Sequence, residues 1–399
     1  NVERFDPLPP EARTMAERFH AAGYPTAVFT SNANAGSVSG LERGVDVFRD
    51  QGLDLDAGSS VELHGDFWDW REAAPGEPYW VHFQTTDVHS PHHPVAPFSG
   101  LFLSPGGEAQ VALWDSTLGQ WRQRNAVQIR TEPDWGRRRW AETGIDRIQY
   151  WDAQRSVFDE TMAHQDYQLG RFVARLRETG QWDHTLLIIA ADHSIWAGSD
   201  DFLVHMQDSL PPDWQMPILR SSISRVPLMF IWPGHIPGGQ RFQQPVSMID
   251  VLPTVLELAG LPPPEALQGQ SLVPLLLGRD GWRPRPVIFD DFSRFLRTGE
   301  LNGRIEMIDG RWGASLWIGP PEDSLNPRPT PLQLFDVWND PLALRLMNDE
   351  HPELVRKYTE LLQRQWEAHR LLAQRFSSGG AIELTAAQLE TLRALGYIR

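Results

Sequence analysis

The stretch Thr185-Leu186-Leu187-Ile188-Ile189-Ala190-Ala191-Asp192-His193 indicates both the fold and the position of the chemistry. Its first seven residues show no polar alternation and are rich in branched side chains. That pattern is typical of a strand buried on both faces of a helix-covered parallel sheet. Ligands of such sheets bind beyond the carboxyl ends of the strands, where Asp192 and His193 stand. The alternative is that Asp192 only caps the following turn.

Composition narrows the class of protein. The chain has 399 residues, of which 41% are hydrophobic, so it can bury a large core and divide into a larger and a smaller domain. Its net charge of -16 argues against nucleic acid or an anionic membrane as a partner. It contains no cysteine, and no apolar run approaches the roughly 18 residues of a membrane helix. Disulfides and thiolate sites are therefore excluded within these residues, and no transmembrane segment is expected.

Helix and strand signals alternate along the chain. The patterns predict helices over residues 14–22, 152–178 and 248–259, and strands over residues 26–30, 79–84, 185–191 and 226–232. Such alternation indicates an α/β fold with a doubly wound, mixed but mostly parallel sheet flanked by helices.

A proline-rich stretch, Arg283-Pro284-Arg285-Pro286, predicts a domain boundary. We expect a core domain over residues 1–283 and a smaller α+β domain over residues 284–399. The smaller domain would contain short strands near residues 305–308 and 314–318 and a long helix from Pro352. A capping-box pattern at Thr385 predicts a further short helix near its end.

Several motifs, in this order, resemble the sulfatase family of the alkaline-phosphatase-like superfamily. The motifs are Gly23-Tyr24-Pro25-Thr26, Asp87-Val88-His89-Ser90-Pro91-His92, Trp182-Asp183-His184-Thr185, Ala191-Asp192-His193, Arg225-Val226-Pro227-Leu228, Ile249-Asp250-Val251-Leu252-Pro253-Thr254 and Leu334-Phe335-Asp336. Each motif is weak alone, but the colinear set covers nearly the whole chain and is strong.

The resemblance implies a metal-dependent sulfuric ester hydrolase that works through a covalent intermediate. It implies that Asp192 and His193 are metal ligands, with Ca²⁺ expected and Mg²⁺, Mn²⁺ or Zn²⁺ as alternatives. It also implies that His89 is a catalytic, substrate-binding residue that contacts the sulfate or the leaving oxygen. A hard cation takes such ligands, and an imidazole can protonate a departing alkoxide. The implied substrate is a small-molecule or carbohydrate sulfate ester.

The chain departs from the family pattern at its nucleophile. The family's motif is Cys or Ser, any residue, Pro, any residue, Arg, with the Cys or Ser converted in many members to formylglycine. Neither this motif nor the family's early Asp-Asp pair occurs here. We therefore expect an N-terminally truncated chain, with the nucleophile in the missing segment, that is inactive alone.

Other departures lie within the chain. Ser194 replaces the glycine that follows the family's Asp-His pair, and Lys357 is the only lysine of the chain. His205 and Arg220 are candidate substitutes, by position, for the family's active-site lysines. Arginine can bind a sulfate in bidentate fashion but cannot transfer protons as a lysine does.

Two other functions stay open at this point. One is a phosphatase or phosphodiesterase on the same scaffold, and the other is a non-catalytic homologue that binds a ligand or a partner protein. The compartment and the oligomeric state also stay open, because neither leaves a signal in these residues.

Overall fold

A computed structural model describes most of the chain. The described residues are 8–32, 35–36, 39–50, 59–73, 78–89, 92–109, 111–113, 116, 147–194, 224–265, 267–291, 303–318 and 332–376. Their contacts divide the chain into two compact units. The first unit comprises residues 1–175, 196–206 and 378–399, and the second comprises residues 176–195 and 207–377. This division differs from the domain boundary near residue 283, which stays a prediction.

The described helices and strands alternate through the first half of the chain. The helices are α1 (Met15–Ala21), α2 (Ser59–Ala73), α3 (Arg147–Glu178), α4 (Val251–Leu258), α5 (Val273–Leu276) and α6 (Pro352–Ala373). The strands are β1 (Thr26–Thr30), β2 (Val47–Asp50), β3 (Trp80–Gln84), β4 (Leu187–Ala190), β5 (Leu228–Ile231), β6 (Val287–Asp291), β7 (Gly303–Asp309), β8 (Trp312–Ile318) and β9 (Gln333–Asp336). None of these helices combines the length and the apolar character that crossing a bilayer requires.

A parallel sheet forms the centre of the first unit, with strand order β2-β1-β3. The middle strand, β1, is buried along its whole length. On one face, Phe19 of α1 stacks on Trp80 with ring centroids 6.2 Å apart. On the other face, Phe83 contacts Phe67 of α2 and Phe172 of α3 at 5.6 Å and 5.5 Å. Since successive strand residues point to opposite faces, helices cover both sides of this sheet, as a doubly wound fold requires.

Helix α1 begins where the sequence predicts it. Thr14 accepts a hydrogen bond from the N–H of Glu17, and the Glu17 carboxylate accepts one from the N–H of Thr14. This reciprocal capping satisfies two backbone donors that a helix start otherwise leaves unpaired. The chain then turns at Gly23, whose φ of 84° favours glycine, directly into β1.

The second unit contains two antiparallel sheets. One pairs β4 with β5, and the other has the order β6-β7-β8-β9. One face of the four-stranded sheet packs on α6, where Tyr358 and Leu362 join Ile305, Met307 and Leu334 in a core whose members are almost fully buried. This is the smaller C-terminal sheet domain, and the predicted α/β class with its parallel sheet and flanking helices is confirmed.

Strand β4 differs from its prediction in length, burial and pairing. It spans four residues rather than seven, Ala190 is exposed, and the other three are half-buried. Its neighbour β5 runs antiparallel to it, with Ala190 opposite Leu228. An apolar run has the same composition in either direction, so the sequence does not specify which way a strand pairs. The pair makes the sheet architecture mixed rather than wholly parallel. The short helix predicted at Thr385 and the candidates His205 and Arg220 lie outside the described residues.

Candidate active site

His89 closes a tight turn that directly follows β3. Its N–H donates to the carbonyl oxygen of Thr86 at 2.9 Å, so Thr86 is the first and His89 the fourth residue of the turn. The side chain of His89 is half-buried. Because β3 is parallel to β1, this turn lies at the carboxyl end of the sheet, where parallel sheets place ligands.

The second residue of the turn, Asp87, is buried beneath it. Its Oδ2 accepts from the Ser59 hydroxyl at 2.5 Å and from the Ser60 N–H at 2.9 Å, and its Oδ1 accepts from the Ser60 hydroxyl at 2.8 Å. Nδ1 of His164, on α3, lies 3.3 Å from Oδ1. The side chains of Asp87 and His164 are 2% and 5% exposed. A buried carboxylate therefore ties the turn to two helices.

Two further histidines follow His89 on the same loop. The ring of His92 packs against Phe158 of α3 at 5.5 Å, whereas His93 is exposed. Burial, reinforced by the neighbouring His89 and His93, lowers the pKa of His92 to about 4. The buried Nδ1 of His92 has no hydrogen-bond partner in the part of the chain that the structure describes. His92 is thus a neutral, inward-facing imidazole and a poorer candidate than His89 for contact with an anionic group.

Asp192 and His193 follow β4 and are brought together at its end. The carboxylate Oδ1 of Asp192 accepts from the backbone N–H of His193 at 2.9 Å. Nδ1 of His193 lies 2.8 Å from the carbonyl oxygen of Ser194. A carbonyl can only accept, so Nδ1 carries the proton and Nε2 of the neutral ring has a free lone pair. Both side chains are more than half exposed, at 57% and 55%.

This arrangement suits a shared cation. Asp192 Oδ2 and His193 Nε2 lie 3.9 Å apart, and two ligands each about 2.0–2.5 Å from one ion can span that distance. A backbone carbonyl on Nδ1 is also the support that metal-binding histidines usually have. However, across the described ranges no three His, Cys, Asp or Glu side chains group together to hold a metal. Within the described residues, Asp192 and His193 could thus offer a cation two side-chain ligands and no third from this set of residue types.

The three predicted site residues belong to different units. Asp192 and His193 are in the second unit, and His89 is in the first. The partners of Asp87, which are Ser59, Ser60 and His164, are not predicted from the sequence. A signal for the first two exists, since Ser59-Ser60-Val61-Glu62 fits the capping-box pattern that opens α2.

Solved structures with the same architecture define the class of fold. The phosphonate monoester hydrolase of Agrobacterium radiobacter is similar with a TM-score of 0.63 and 18% identity, over 95% of this chain and 85% of that one. A protein solved with its substrate D-glucosamine-2-N,6-O-disulfate is similar with a TM-score of 0.62 and 15% identity, over 92% and 84% of the two chains. At these identities the likeness shows the fold alone, which this chain shares with both structures.

The family follows from the sequence comparison. The family model described as Sulfatase matches residues 1–261, more than half of the 399-residue chain, and the chain therefore belongs to the sulfatase family. Arylsulfatase K of Danio rerio is 29% identical over 208 residues, 52% of this chain and 36% of that protein. Steryl-sulfatase of Rattus norvegicus is 31% identical over 136 residues, 31% of this chain and 22% of that protein. The chain thus spans about a third or less of the length of these curated relatives.

Proposed function

We propose that this chain is part of a metal-dependent sulfuric ester hydrolase that acts on a small-molecule or carbohydrate sulfate ester. One observation carries the proposal. The sulfatase family model spans residues 1–261, which include the His89 turn and the Asp192-His193 pair. The relatives named arylsulfatase K and steryl-sulfatase, and the structural neighbour solved with a sulfated glucosamine, support a sulfate ester as the substrate class.

The proposed reaction breaks the bond between sulfur and the ester oxygen and adds the elements of water. His89, at the end of β3, would contact the sulfate or give a proton to the departing alkoxide, so that the alcohol leaves neutral. An imidazole suits this task because its pKa lies close to neutral pH. The backbone N–H of His89 itself closes the turn that places this side chain.

Asp192 and His193 would hold the divalent cation, for which Ca²⁺ is the first candidate. Such a cation, when bound, withdraws charge from a sulfuryl oxygen and stabilises a deprotonated nucleophile. The support from this chain is the pair of donor atoms 3.9 Å apart and the Ser194 carbonyl that orients the imidazole.

A matched pair of double variants tests the metal site. The second unit has another exposed Asp-His pair, Asp183-His184, which precedes β4 instead of following it. We expect Asp192→Asn/His193→Gln to weaken Ca²⁺ or Mn²⁺ binding at least about tenfold in calorimetric titration, because first-sphere ligands matter no less than their supports. Asp183→Asn/His184→Gln should bind as the wild type does. Equal affinity of both variants would refute the assignment.

In this proposal the nucleophile lies outside these 399 residues, which contain no cysteine and no Ser-x-Pro-x-Arg motif. We propose a Cys or Ser in that motif, with formylglycine as a possible modified form, and no turnover by the 399 residues alone. Sequencing the reading frame around this segment tests the proposal. A frame without such a motif would favour a homologue that binds its ligand without hydrolysing it.

Substrate profiling separates sulfate from phosphate. The phosphonate monoester hydrolase among the structural neighbours is the observation that favours a phosphorus ester as the second candidate. The protein expressed from its whole reading frame should hydrolyse an aryl sulfate faster than the matching aryl phosphate. His89→Gln should lower the rate, whereas the exposed His184→Gln should not. A preference for the phosphate would replace the first proposal by the second.

A further inference from the structure

We propose that Asp87 is a positioning residue, which fixes the imidazole of His89 through the turn that the two residues share. The inference rests on the proposed function only in that it takes His89 to be the group that meets the substrate. Asp87 is the second and His89 the fourth residue of that turn. A rotation at Asp87 therefore changes the backbone from which the His89 side chain projects.

The first residue of the turn, Thr86, is fixed from two sides. Its N–H donates to the Ser59 hydroxyl at 2.8 Å, and its own hydroxyl lies 2.9 Å from that of Ser31, next to the end of β1. Thr86 is 7% exposed and Ser31 is 1% exposed. The start of the turn is thus held by β1 and α2 in an interior that excludes water.

The second residue carries the charge that holds α2 and α3 to the turn. Asp87 accepts one N–H and two hydroxyl donors from Ser59 and Ser60, at the start of α2, where a carboxylate is also favoured by the helix dipole. The fourth donor is His164. Nε2 of His164 lies 3.0 Å from the side-chain nitrogen of Gln168, which can only donate. Nδ1 therefore carries the proton that points to Asp87.

The geometry excludes a catalytic triad in spite of the residue types. In a triad, the serine hydroxyl donates to the imidazole, and the carboxylate orients that imidazole from its far side. Here the Ser59 hydroxyl donates to the carboxylate of Asp87 instead. Ser59, Ser60 and His164 are 5%, 0% and 4% exposed, so no substrate reaches them. What these residues can do is hold the turn.

The chain offers a matched control in Glu160. Like Asp87 it is a buried carboxylate in the first unit, 0% exposed, and it accepts the N–H groups of Gly100 and Phe102 at 3.0 Å and 2.9 Å. These two donors lie more than ten residues beyond the turn, so Glu160 braces a different part of the segment that follows β3. Replacing either carboxylate by an amide puts an N–H group against donors, so both variants lose stability for the same reason.

The test uses the protein from its whole reading frame and compares Asp87→Asn with Glu160→Gln. We expect Asp87→Asn to lower kcat/KM by on the order of 10- to 100-fold, the cost of a small misplacement at a reacting centre. In urea unfolding, Glu160→Gln should lose about as much stability as Asp87→Asn does. It should leave kcat/KM unchanged. In a His89→Gln background, Asp87→Asn should cost little more, because both changes remove one function.

A second readout keeps the proposal testable without turnover. In the wild-type protein and the variants, the imidazole C–H signal of His89, assigned by its loss in His89→Gln, should move in Asp87→Asn and stay in place in Glu160→Gln. If Asp87→Asn does not fold, Ser60→Ala removes one of the carboxylate's contacts, the Ser60 hydroxyl, while keeping the Ser60 N–H, and should move the signal in the same direction. An unmoved signal overturns the inference, as does full additivity with His89→Gln. A moved signal in a protein without sulfatase activity would refute the proposed function and leave the positioning role standing.

Discussion

The imidazole of His64 lies against the phenyl ring of Phe172, with the two ring centroids 4.7 Å apart. The ring of Phe83, on the sheet side, is nearly perpendicular to the imidazole, with the two ring centroids 5.5 Å apart. Burial among these rings lowers the pKa of His64 to about 4, and the positive charge of Arg171 acts in the same direction against the opposing charge of Asp87. His64 is therefore neutral at physiological pH.

Because His64 is neutral when folded, we expect the first unit to lose stability at acidic pH. The pKa of His64 is about 4 in the folded protein and near 6.5 when unfolded, so the unfolded chain binds more protons between these values. The free energy of unfolding should therefore fall as the pH falls from 6.5 to 4, by roughly 3 kcal/mol at the limit. The slope of the unfolding free energy against pH measures the protons taken up on unfolding. In urea unfolding at several pH values, His64→Gln should therefore lower this uptake by up to one proton.

The control for this prediction is His184→Gln, which changes an exposed histidine. It should leave the slope as it is in the wild type. Some slope should persist in His64→Gln, because the pKa of His92 is also lowered to about 4 by burial. An unchanged slope in His64→Gln would show that His64 is not the group that titrates.

The sequence predicts much of the fold because its strongest signals are local. The strand over residues 26–30 is confirmed as β1 without change, and the helix predicted over residues 14–22 is found at Met15–Ala21, with Thr14 as its N-cap. Helix α2 was missed, since its aromatic residues and acids form no clear helical stripe. The antiparallel pairing of β4 and β5 was also missed, because direction depends on the chain between them.

The candidate site is less predictable because its support is non-local. The Asp192-His193 pair is visible in the sequence as two adjacent ligand types. Asp87 contacts Ser60 and Ser59 on α2, which are separated from it by 27 and 28 positions in the sequence, and a histidine on α3. Nothing in the pattern near Asp87 specifies those partners, since serine and histidine are common on helix surfaces and at helix ends.

A second prediction concerns the ion pair between Arg311 and Asp336 in the C-terminal sheet. Asp336 Oδ2 accepts from Nε and Nη2 of Arg311 at 2.9 Å and 2.5 Å and from the Asn339 side chain at 2.8 Å. Hydrogen bonding to Arg311, with further bonds from Asn339, lowers the pKa of Asp336 to about 2. The resulting stabilisation is present above the unfolded pKa near 3.8 and is lost as the pH falls towards 2.

Arg311→Met should therefore raise the pKa of Asp336 towards its ordinary value, which carbon NMR of the carboxyl group measures directly. Arg345→Met is the matched control, because its partner Glu350 and Arg345 itself are exposed at the surface. That variant should leave the titration of Asp336 where it is in the wild type. A pKa of Asp336 that stays near 2 in Arg311→Met would assign the shift to Asn339 instead.

A third prediction contrasts two glycines that a Cβ would affect in opposite ways. A Cβ on Gly269 would lie 2.0 Å from the carbonyl oxygen of Ile249, which is backbone and cannot swing aside. Asp250, which follows Ile249 in the chain, is 1% exposed. Its carboxylate accepts from the N–H of Gln270 at 2.8 Å and from the side chain of Arg285. Gly269→Ala must displace this buried carboxylate, so we expect it to destabilise the protein by about 1–3 kcal/mol or more.

Gly170 is the opposite case and supplies the control. It lies on the exposed side of α3, and a Cβ there would meet nothing within 4 Å. Alanine restricts the unfolded chain and favours helix, so Gly170→Ala should stabilise the protein by about 0.5–1 kcal/mol. Urea unfolding of the two single variants measures both effects. Equal stability of Gly269→Ala and the wild type would mean that the segment at Ile249 yields, and that the close approach does not hold Asp250 in place.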